Sequence, residues 1–500
     1  MLPFLLAALA LPALPQGPLE AARAWRERNG AEILREFAGF LALPNLASDP
    51  EGIGQNAEWI ADAFRKRGAR VRIERLPGAA PIVLVRIEAE GARRTLGFYA
   101  HFDGQPVDEA RWTRPPWTPA LLTRSLQEGG TERPFPRAGE PVDPEWRLFA
   151  RSAGDDKAPF LAFLAALDAL RAAGRRPSSN LVFLFEGEEE AGSPHLGLYL
   201  DKFPAELGVD AWLFCDGPGH QSGRPQLVFG VRGITGLEIT VYGADRYLHS
   251  GHYGNWAPNP ALRLARLLAG MKDENGRVRI AGFYDSVTPL GESERTALKK
   301  VPLVGPRLRR EFGLAESEAG DAPYLERLLL PSLNIRGLSS ATVGATARNV
   351  VPPTATASID IRLVKGNDPG AMLDLVEAHI RKKGFFIVRS DPDRETRRSH
   401  SKIAKVVREK GYPAARTSME NPLARKIAAA ARQAAGGELV LLPTLGGSLP
   451  LYLFTGDPGR AVLVVPIANF DDNQYGPDEN LRIGNLWYGI DLFAALFAME

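Results

Sequence analysis

Three short apolar runs in this 500-residue chain each lead directly into side chains able to ligate a metal. Leu96 to Ala100 leads into His101-Phe102-Asp103, Leu181 to Phe185 into Glu186-Gly187-Glu188-Glu189-Glu190, and Ala211 to Cys215 into Asp216. Short continuous apolar runs of this kind read as strands buried on both faces of a largely parallel sheet. Such sheets bind ligands beyond the carboxyl ends of their strands, so the three ends should meet at one site.

A chain of 500 residues exceeds what one core supports, so two domains are expected. Helical spacing runs from Glu51 to Gly68, and strand-like segments follow at Val71–Leu76, Pro81–Ile87 and Leu96–Ala100. Gln105 to Trp146 is Pro- and Trp-rich with little periodicity, a long connection of the functional kind. Asp155-Asp156 opens a helix with its apolar stripe at Phe160, Phe163, Leu164, Leu167 and Leu170, closed by Gly174. From about Gly236 the texture changes. Strands at Leu237–Tyr242, Leu333–Gly337, Ala355–Leu363 and Phe385–Arg389 interleave with helices at Pro260–Met271 and Ala371–Lys383, a ferredoxin-like α+β pattern with an insertion at 283–330. Helix and strand then alternate again to the end. The expected fold is a mostly parallel α/β catalytic domain, residues 18–233 and 391–500, interrupted by a smaller α+β domain at 234–390.

The net charge of +2 gives no case for nucleic acid or an anionic membrane as partner. Cys215 is the only cysteine, which excludes an intramolecular disulfide, and its apolar run makes it a small buried hydrophobe. Met1 to Leu14, followed by Pro15-Gln16-Gly17, is too short to span a bilayer and fits a secretory signal peptide over 1–17, hence an exported, periplasmic or secreted protein. No other segment approaches a membrane span.

His101 and Asp103, two apart, share a face if the strand continues, and a carboxylate beside an imidazole fixes its tautomer for metal binding. Alone, such a pair is most often a plain strand end. Asp155, taken alone, reads as a helix N-cap. The four carboxylates among Glu186 to Glu190 form either a solvated acidic loop or a cluster whose mutual repulsion a divalent cation relieves. Paired glutamates also match metal-assisted hydrolysis, one ligating and its neighbour taking a proton from the attacking water. Asp216 before Gly217-Pro218 is either a turn former or another hard oxygen ligand. A mixed N/O set suits zinc or a similar first-row ion, and two metals sharing a carboxylate would account for the number of acids.

In order and spacing, His101-Phe102-Asp103, Ala153-Gly154-Asp155-Asp156-Lys157, Glu189-Glu190-Ala191-Gly192-Ser193 and Asp216 resemble the metal motifs of the M20 metallopeptidases, the aminoacylase, carboxypeptidase G and carnosinase group. The resemblance covers nearly all of the chain after the leader. It implies that His101, Asp155 and Asp216 hold one zinc, that Asp155 bridges to a second also bound by Glu190, that Asp103 orients the His101 side, and that Glu189 is the general base. Cobalt or manganese are alternative ions. In the inserted domain, Leu248-His249-Ser250-Gly251 resembles the segment whose histidine stabilises the reacting carbonyl, often in the partner subunit of a dimer. Asn349-Val350-Val351-Pro352 and Ile361-Arg362-Leu363-Val364 resemble the segments that hold the substrate backbone and carboxylate, and Gly446-Gly447-Ser448-Leu449-Pro450 the substrate-side glycine loop. The inserted domain would thus act as lid and dimerisation domain of a homodimer.

Two positions depart from the family pattern. Ala158 stands where glycine is usual, and Tyr475 stands where the last zinc ligand is a histidine. A phenol, with a pKa near ~10, is a poorer ligand at neutral pH. The expected function is metal-dependent hydrolysis of an amide bond in small peptides or N-acyl amino acids. The alternative, raised by Tyr475, is a metal-depleted peptide-binding relative without catalysis.

Overall fold

The computed structural model describes residues 17–456 and 459–500, so the expected leader lies, apart from Gly17, outside the described residues. The chain forms two compact units. The larger comprises the chain up to Leu227 with Met419–Leu441 and Gly459–Glu500, and the smaller comprises Val228–Ser418 and Leu442–Pro458.

The larger unit is built on an eight-stranded sheet in the order Arg70–Glu74, Ile82–Ile87, Asn180–Glu186, Thr95–His101, Ala211–Phe214, Ala461–Val464, Gln226–Val228, Val440–Leu442. The strands that end near His101, Glu186 and Asp216 are central and parallel, and Ala461–Val464 continues them. Two antiparallel strands, Arg70–Glu74 and Ile82–Ile87, close one edge. Uniform burial from Leu96 to His101 explains why these runs are apolar at every position. On one face Phe98 and Phe183 stack at 5.2 Å and meet Phe163 of the helix Ala158–Ala172 and Phe497 of the helix Ile483–Phe497. Burying each such ring contributes roughly 2–3 kcal/mol. Gly97 is dictated by packing, because a Cβ there would lie 2.5 Å from the Trp212 ring.

Three features of this unit differ from expectation. A helix at Pro18–Leu41 joins the same layer, burying Phe37, Phe40 and Leu41, and Arg23 and Arg26 pair with Asp491 of the last helix at 3.0 and 3.3 Å. The long connection contains Ala120–Leu122, which with Asn480–Arg482 flanks Arg147–Phe149 in a small antiparallel sheet. The third helix begins at Ala158, not at Asp155-Asp156: Lys157 holds the N-cap position, and neither aspartate caps, since both carboxylates bond elsewhere. The Lys157 ammonium, fully buried, donates to the carbonyls of Phe40 and Leu43 at 3.0 and 2.9 Å.

The smaller unit has a five-stranded sheet in the order Ser332–Ser339, Thr354–Leu363, Gly233–Tyr242, Ile403–Arg408, Phe386–Val388, antiparallel except for its last pair. The helices Pro260–Ala269 and Pro369–Lys382 pack their apolar sides on it. Thr354–Leu363 alternates strictly, with Ala357, Ile359 and Ile361 in the core and Ser358, Asp360 and Arg362 on the opposite face. Ile403–Arg408, a strand beyond the four expected, is hydrogen-bonded to Gly233–Tyr242, so this unit runs to Ser418, past the expected boundary at 390. The Gly446 to Pro450 loop likewise falls in this unit rather than in the second part of the larger one.

Glu377, 1% exposed on the second helix, ties this sheet to its cover. Its carboxylate accepts from Arg389 at 2.7 and 2.8 Å, from Arg408 at 2.7 Å and from Arg381 at 3.0 Å. Burial opposes its charge, but the guanidinium groups of Arg389 and Arg408 outweigh burial and hold the carboxyl at about 2. A depressed folded-state value stabilises above the unfolded value of 4.5 and is lost as pH falls toward 2. We therefore expect Glu377→Gln to destabilise the protein by roughly 2–3 kcal/mol at pH 7. In denaturant titrations, the gap to wild type should close between about pH 4.5 and pH 2.

Candidate metal centre

His101 is the last residue of its strand, and the parallel register pairs it with Glu186. From this strand end its imidazole reaches three carboxylate-bearing residues. Nε2 lies 2.9 Å from Asp155 Oδ1 and 3.8 Å from Asp216 Oδ2, and Nδ1 lies 3.1 Å from the Asp103 carbonyl and 3.4 Å from its carboxylate. His101, Asp155 and Asp216 are all buried, and one ligand atom from each lies within 4.8 Å of the others. Three strand-end or loop positions far apart in sequence therefore converge.

Asp103 joins this triplet to the glutamate turn. Its two carboxylate oxygens accept the backbone N–H groups of Glu189 and Glu190, each at 3.0 Å, so the residue beside His101 also fixes where the paired glutamates begin. Glu190 stands outside the close triplet and accepts from Gln105 Nε2 at 2.6 Å. Not all four acids of the run serve one purpose. Glu186 is buried beneath, accepting from the Tyr99 hydroxyl at 2.5 Å and from Ser193 at 3.1 Å, and Glu188 accepts from the backbone of Ala80 and His195 and from the His195 ring.

Asp155 is placed by a residue that sequence reasoning missed. Glu479, fully buried, accepts the backbone N–H groups of Ser152, Gly154 and Asp155, each at 2.9 Å, and Arg151 Nη1 at 2.8 Å. The pairing of Asn480–Arg482 with Arg147–Phe149 brings these segments together. Asp155 Oδ2 additionally accepts from Gln474 Nε2 at 2.6 Å, and the Asp155-Asp156 peptide is cis. The stretch containing the expected last ligand thus touches Asp155 through Gln474. Tyr475, 60% exposed with φ of 64°, has its phenol pushed up by desolvation and by the charges of Asp155, Glu190 and Glu189.

The electrostatics fit a bound cation. Burial and neighbouring acids push Asp216 to about 7 and Glu190 to about 8, and burial, with Asp216 and Glu190 nearby, raises Glu189 well above the carboxylate range. Burial disfavours the His101 charge, but the hydrogen bonds of Asp103 and Asp155 hold it well above its usual value. Acids crowded in a water-poor site around one imidazole are a donor set that a divalent cation compensates. His101, Asp155 and Asp216 could hold one ion, and Asp155 with Glu190 could contribute to a second.

The remaining sequence-derived positions lie on the smaller unit. His249 pairs with Val350 on a two-stranded ribbon and is exposed, as is Asn349, whose carbonyl accepts from Ser250 N at 2.9 Å. Arg362, half-buried, donates from Nη1 to Ser448 Oγ at 2.9 Å.

Glu479→Gln replaces one acceptor oxygen by an NH2 group that would face N–H donors. With the loop before Asp155 so disturbed, we expect metal affinity, measured by competition with a chromogenic chelator, to fall by about 10–100-fold. Unchanged affinity would mean that Glu479 does not position the ligand.

Comparison with known proteins agrees with this geometry. The profile described as peptidase family M20/M25/M40 matches residues 97–499. The Cys-Gly metallodipeptidase DUG1 of Saccharomyces cerevisiae is 26% identical over 422 residues, covering 83% of this chain and 81% of its own. The Beta-Ala-His dipeptidase of Homo sapiens is 27% identical over 459 residues, covering 87% and 83%. Among solved structures, the M20 family metallo-carboxypeptidase Sso-CP2 from Sulfolobus solfataricus superposes with a TM-score of 0.74 at 27% identity, covering 94% of this chain and 99% of that one. With the profile spanning most of the chain and the strand ends converging on a buried His and two Asp, this protein belongs to peptidase family M20/M25/M40 and is a metal-dependent peptide hydrolase.

Proposed function

We propose that the protein is a zinc-dependent dipeptidase, cleaving the amide bond of small peptides that carry a free C-terminal carboxylate. The observation that carries this reading is the buried convergence of His101, Asp155 and Asp216 beside a glutamate pair anchored on Asp103. One imidazole with hard carboxylates suits zinc, held by His101, Asp155 and Asp216, with Glu190 and Asp155 serving a second ion. When bound, the metal supplies Lewis acidity at the scissile carbonyl and acidifies water.

The chain's own groups do the rest. Glu189, with its carboxyl raised by burial, takes a proton from the attacking water and returns it to the leaving amine. Asp103 holds the Glu189 backbone and the His101 ring in one frame. His249 donates to the developing oxyanion, Asn349 holds the substrate backbone, and Arg362 with Ser448 holds the terminal carboxylate. The relatives named for Cys-Gly and β-Ala-His hydrolysis make dipeptides the first substrates to try. A metal-free binding protein is not favoured, because the triplet and Glu189 are all in place. A homodimer through the smaller unit is part of the proposal, supported by the edge strand Ser332–Ser339 with Ile335 and Leu338 exposed.

On a dipeptide panel with added zinc, we expect turnover that Glu189→Gln lowers by about 10²–10⁴-fold without changing metal content; no turnover of any dipeptide by the wild type would sink the proposal. Tyr475→His should tighten binding of the second metal equivalent by about tenfold or more, read by the same chelator competition.

A further inference from the structure

Two arginines share the face of the smaller sheet that turns away from its helices. Arg362 sits opposite Ile234 on one neighbouring strand and opposite Ser332 on the other. Arg232, two residues before Ile234, reaches the same place: its Nη2 donates to Ser332 Oγ at 3.0 Å and to the Leu330 carbonyl at 2.8 Å. Both arginines also touch one loop, Arg232 N donating to the Gly447 carbonyl at 3.2 Å and Arg362 Nη1 to Ser448 Oγ at 2.9 Å.

Arg232 is 5% exposed, yet its Nε finds no hydrogen-bond acceptor, and among the described residues no carboxylate forms an ion pair with it. The nearest acid to the pair, Asp360, lies 3.5 Å from Arg362 Nε and is itself engaged by Asn334 at 2.9 Å. Burial and then the Arg362 charge lower the Arg232 guanidinium to about 10. Two cations thus adjoin in a half-dry site with too little negative charge, which is unfavourable unless an anion joins them. A purely structural strut for Leu330 to Ser332 would be served by a neutral donor, and would leave neither an unbonded Nε nor a second guanidinium alongside.

We propose that Arg232 is a specificity-determining residue, the second cation of the substrate-carboxylate site, so that the terminal carboxylate is held between Arg232, Arg362 and Ser448. This inference rests on the reading of the protein as a hydrolase of peptides with free carboxyl termini. It makes discrimination against amidated or extended C-termini a property of the arginine pair rather than of Arg362 alone. An amide in the same place offers one neutral acceptor and directs its NH2 donors at guanidinium N–H groups.

The test is calorimetric binding of glycylglycine and of its C-terminal amide to the full-length, zinc-loaded Glu189→Gln protein, in which binding is read without cleavage. In this background the acid should bind about tenfold or more tighter than the amide. Adding Arg232→Met should abolish that ratio by weakening the acid alone, and Arg232→Lys should restore most of it. Ser332→Ala removes a strut contact but no charge, so it should leave the ratio intact. Absence of an acid preference, its persistence in Arg232→Met, or an equal loss in Ser332→Ala would overturn the proposal. Should the unsubstituted enzyme cleave no dipeptide while the acid preference depends on Arg232, the hydrolytic reading fails and the arginine pair stands.

Discussion

The metal centre depends on a carboxylate that occupies no ligand position. Glu479 is removed from water, which for an isolated ion is prohibitive, and it is stabilised because four donors surround it at 2.8–2.9 Å. Burial raises its carboxyl while the Arg151 charge opposes that rise. Three of the four donors are consecutive or near-consecutive backbone N–H groups, so the bonds define the course of the chain from Ser152 to Asp155. Asp155 then needs only its side-chain torsions to meet His101 on one oxygen and Gln474 on the other.

The sequence reveals the central strands because burial on both faces leaves a run with no polar interruption, and the residues after each run stand out against it. The same logic fails for elements whose identity is set by partners. The second half of the helix Pro18–Leu41 does carry a stripe, Ile33, Leu34, Phe37, Phe40 and Leu41, but its first half is interrupted by Arg23, Arg26, Glu27, Arg28 and Asn29, and Arg23 and Arg26 are accounted for only by Asp491 of the Ile483–Phe497 helix. Ile403–Arg408 is short and follows the arginine-rich helix Arg394–Ser399, and its pairing with Gly233–Tyr242 and Phe386–Val388 makes it a strand. Asp155 reads locally as a cap, and nothing near it announces Glu479, more than three hundred residues away. A single acid in a polar loop carries no periodic signal. The signal that could have found it was the density of Asp, Asn and Glu from Asn469 to Asn480, too many polar residues for an ordinary loop between a buried strand and a buried helix.

The residues also sort by unit. His101, Asp103, Asp155, Glu189, Glu190 and Asp216, proposed above for the metal and the proton, all belong to the larger unit; His249, Asn349, Arg362 and Ser448, proposed for the substrate, belong to the smaller. The strict alternation of Thr354–Leu363 divides the strand between two tasks: every second residue builds the core, and the intervening polar ones bond to neighbouring side chains on the other face. Tyr475, at a position where the resemblance leads one to expect imidazole, lies in the larger unit, as do His101, Asp155 and Asp216.

The ion pairs of Arg23 and Arg26 with Asp491 join the first described helix to the last, and Glu479 lies only a few residues before that last helix. During synthesis on the ribosome, the strand ends bearing His101, the glutamate turn and Asp216 all emerge well before Glu479 does. The bonds that fix the course of the chain into Asp155 therefore form only after the segment carrying Glu479 has been made.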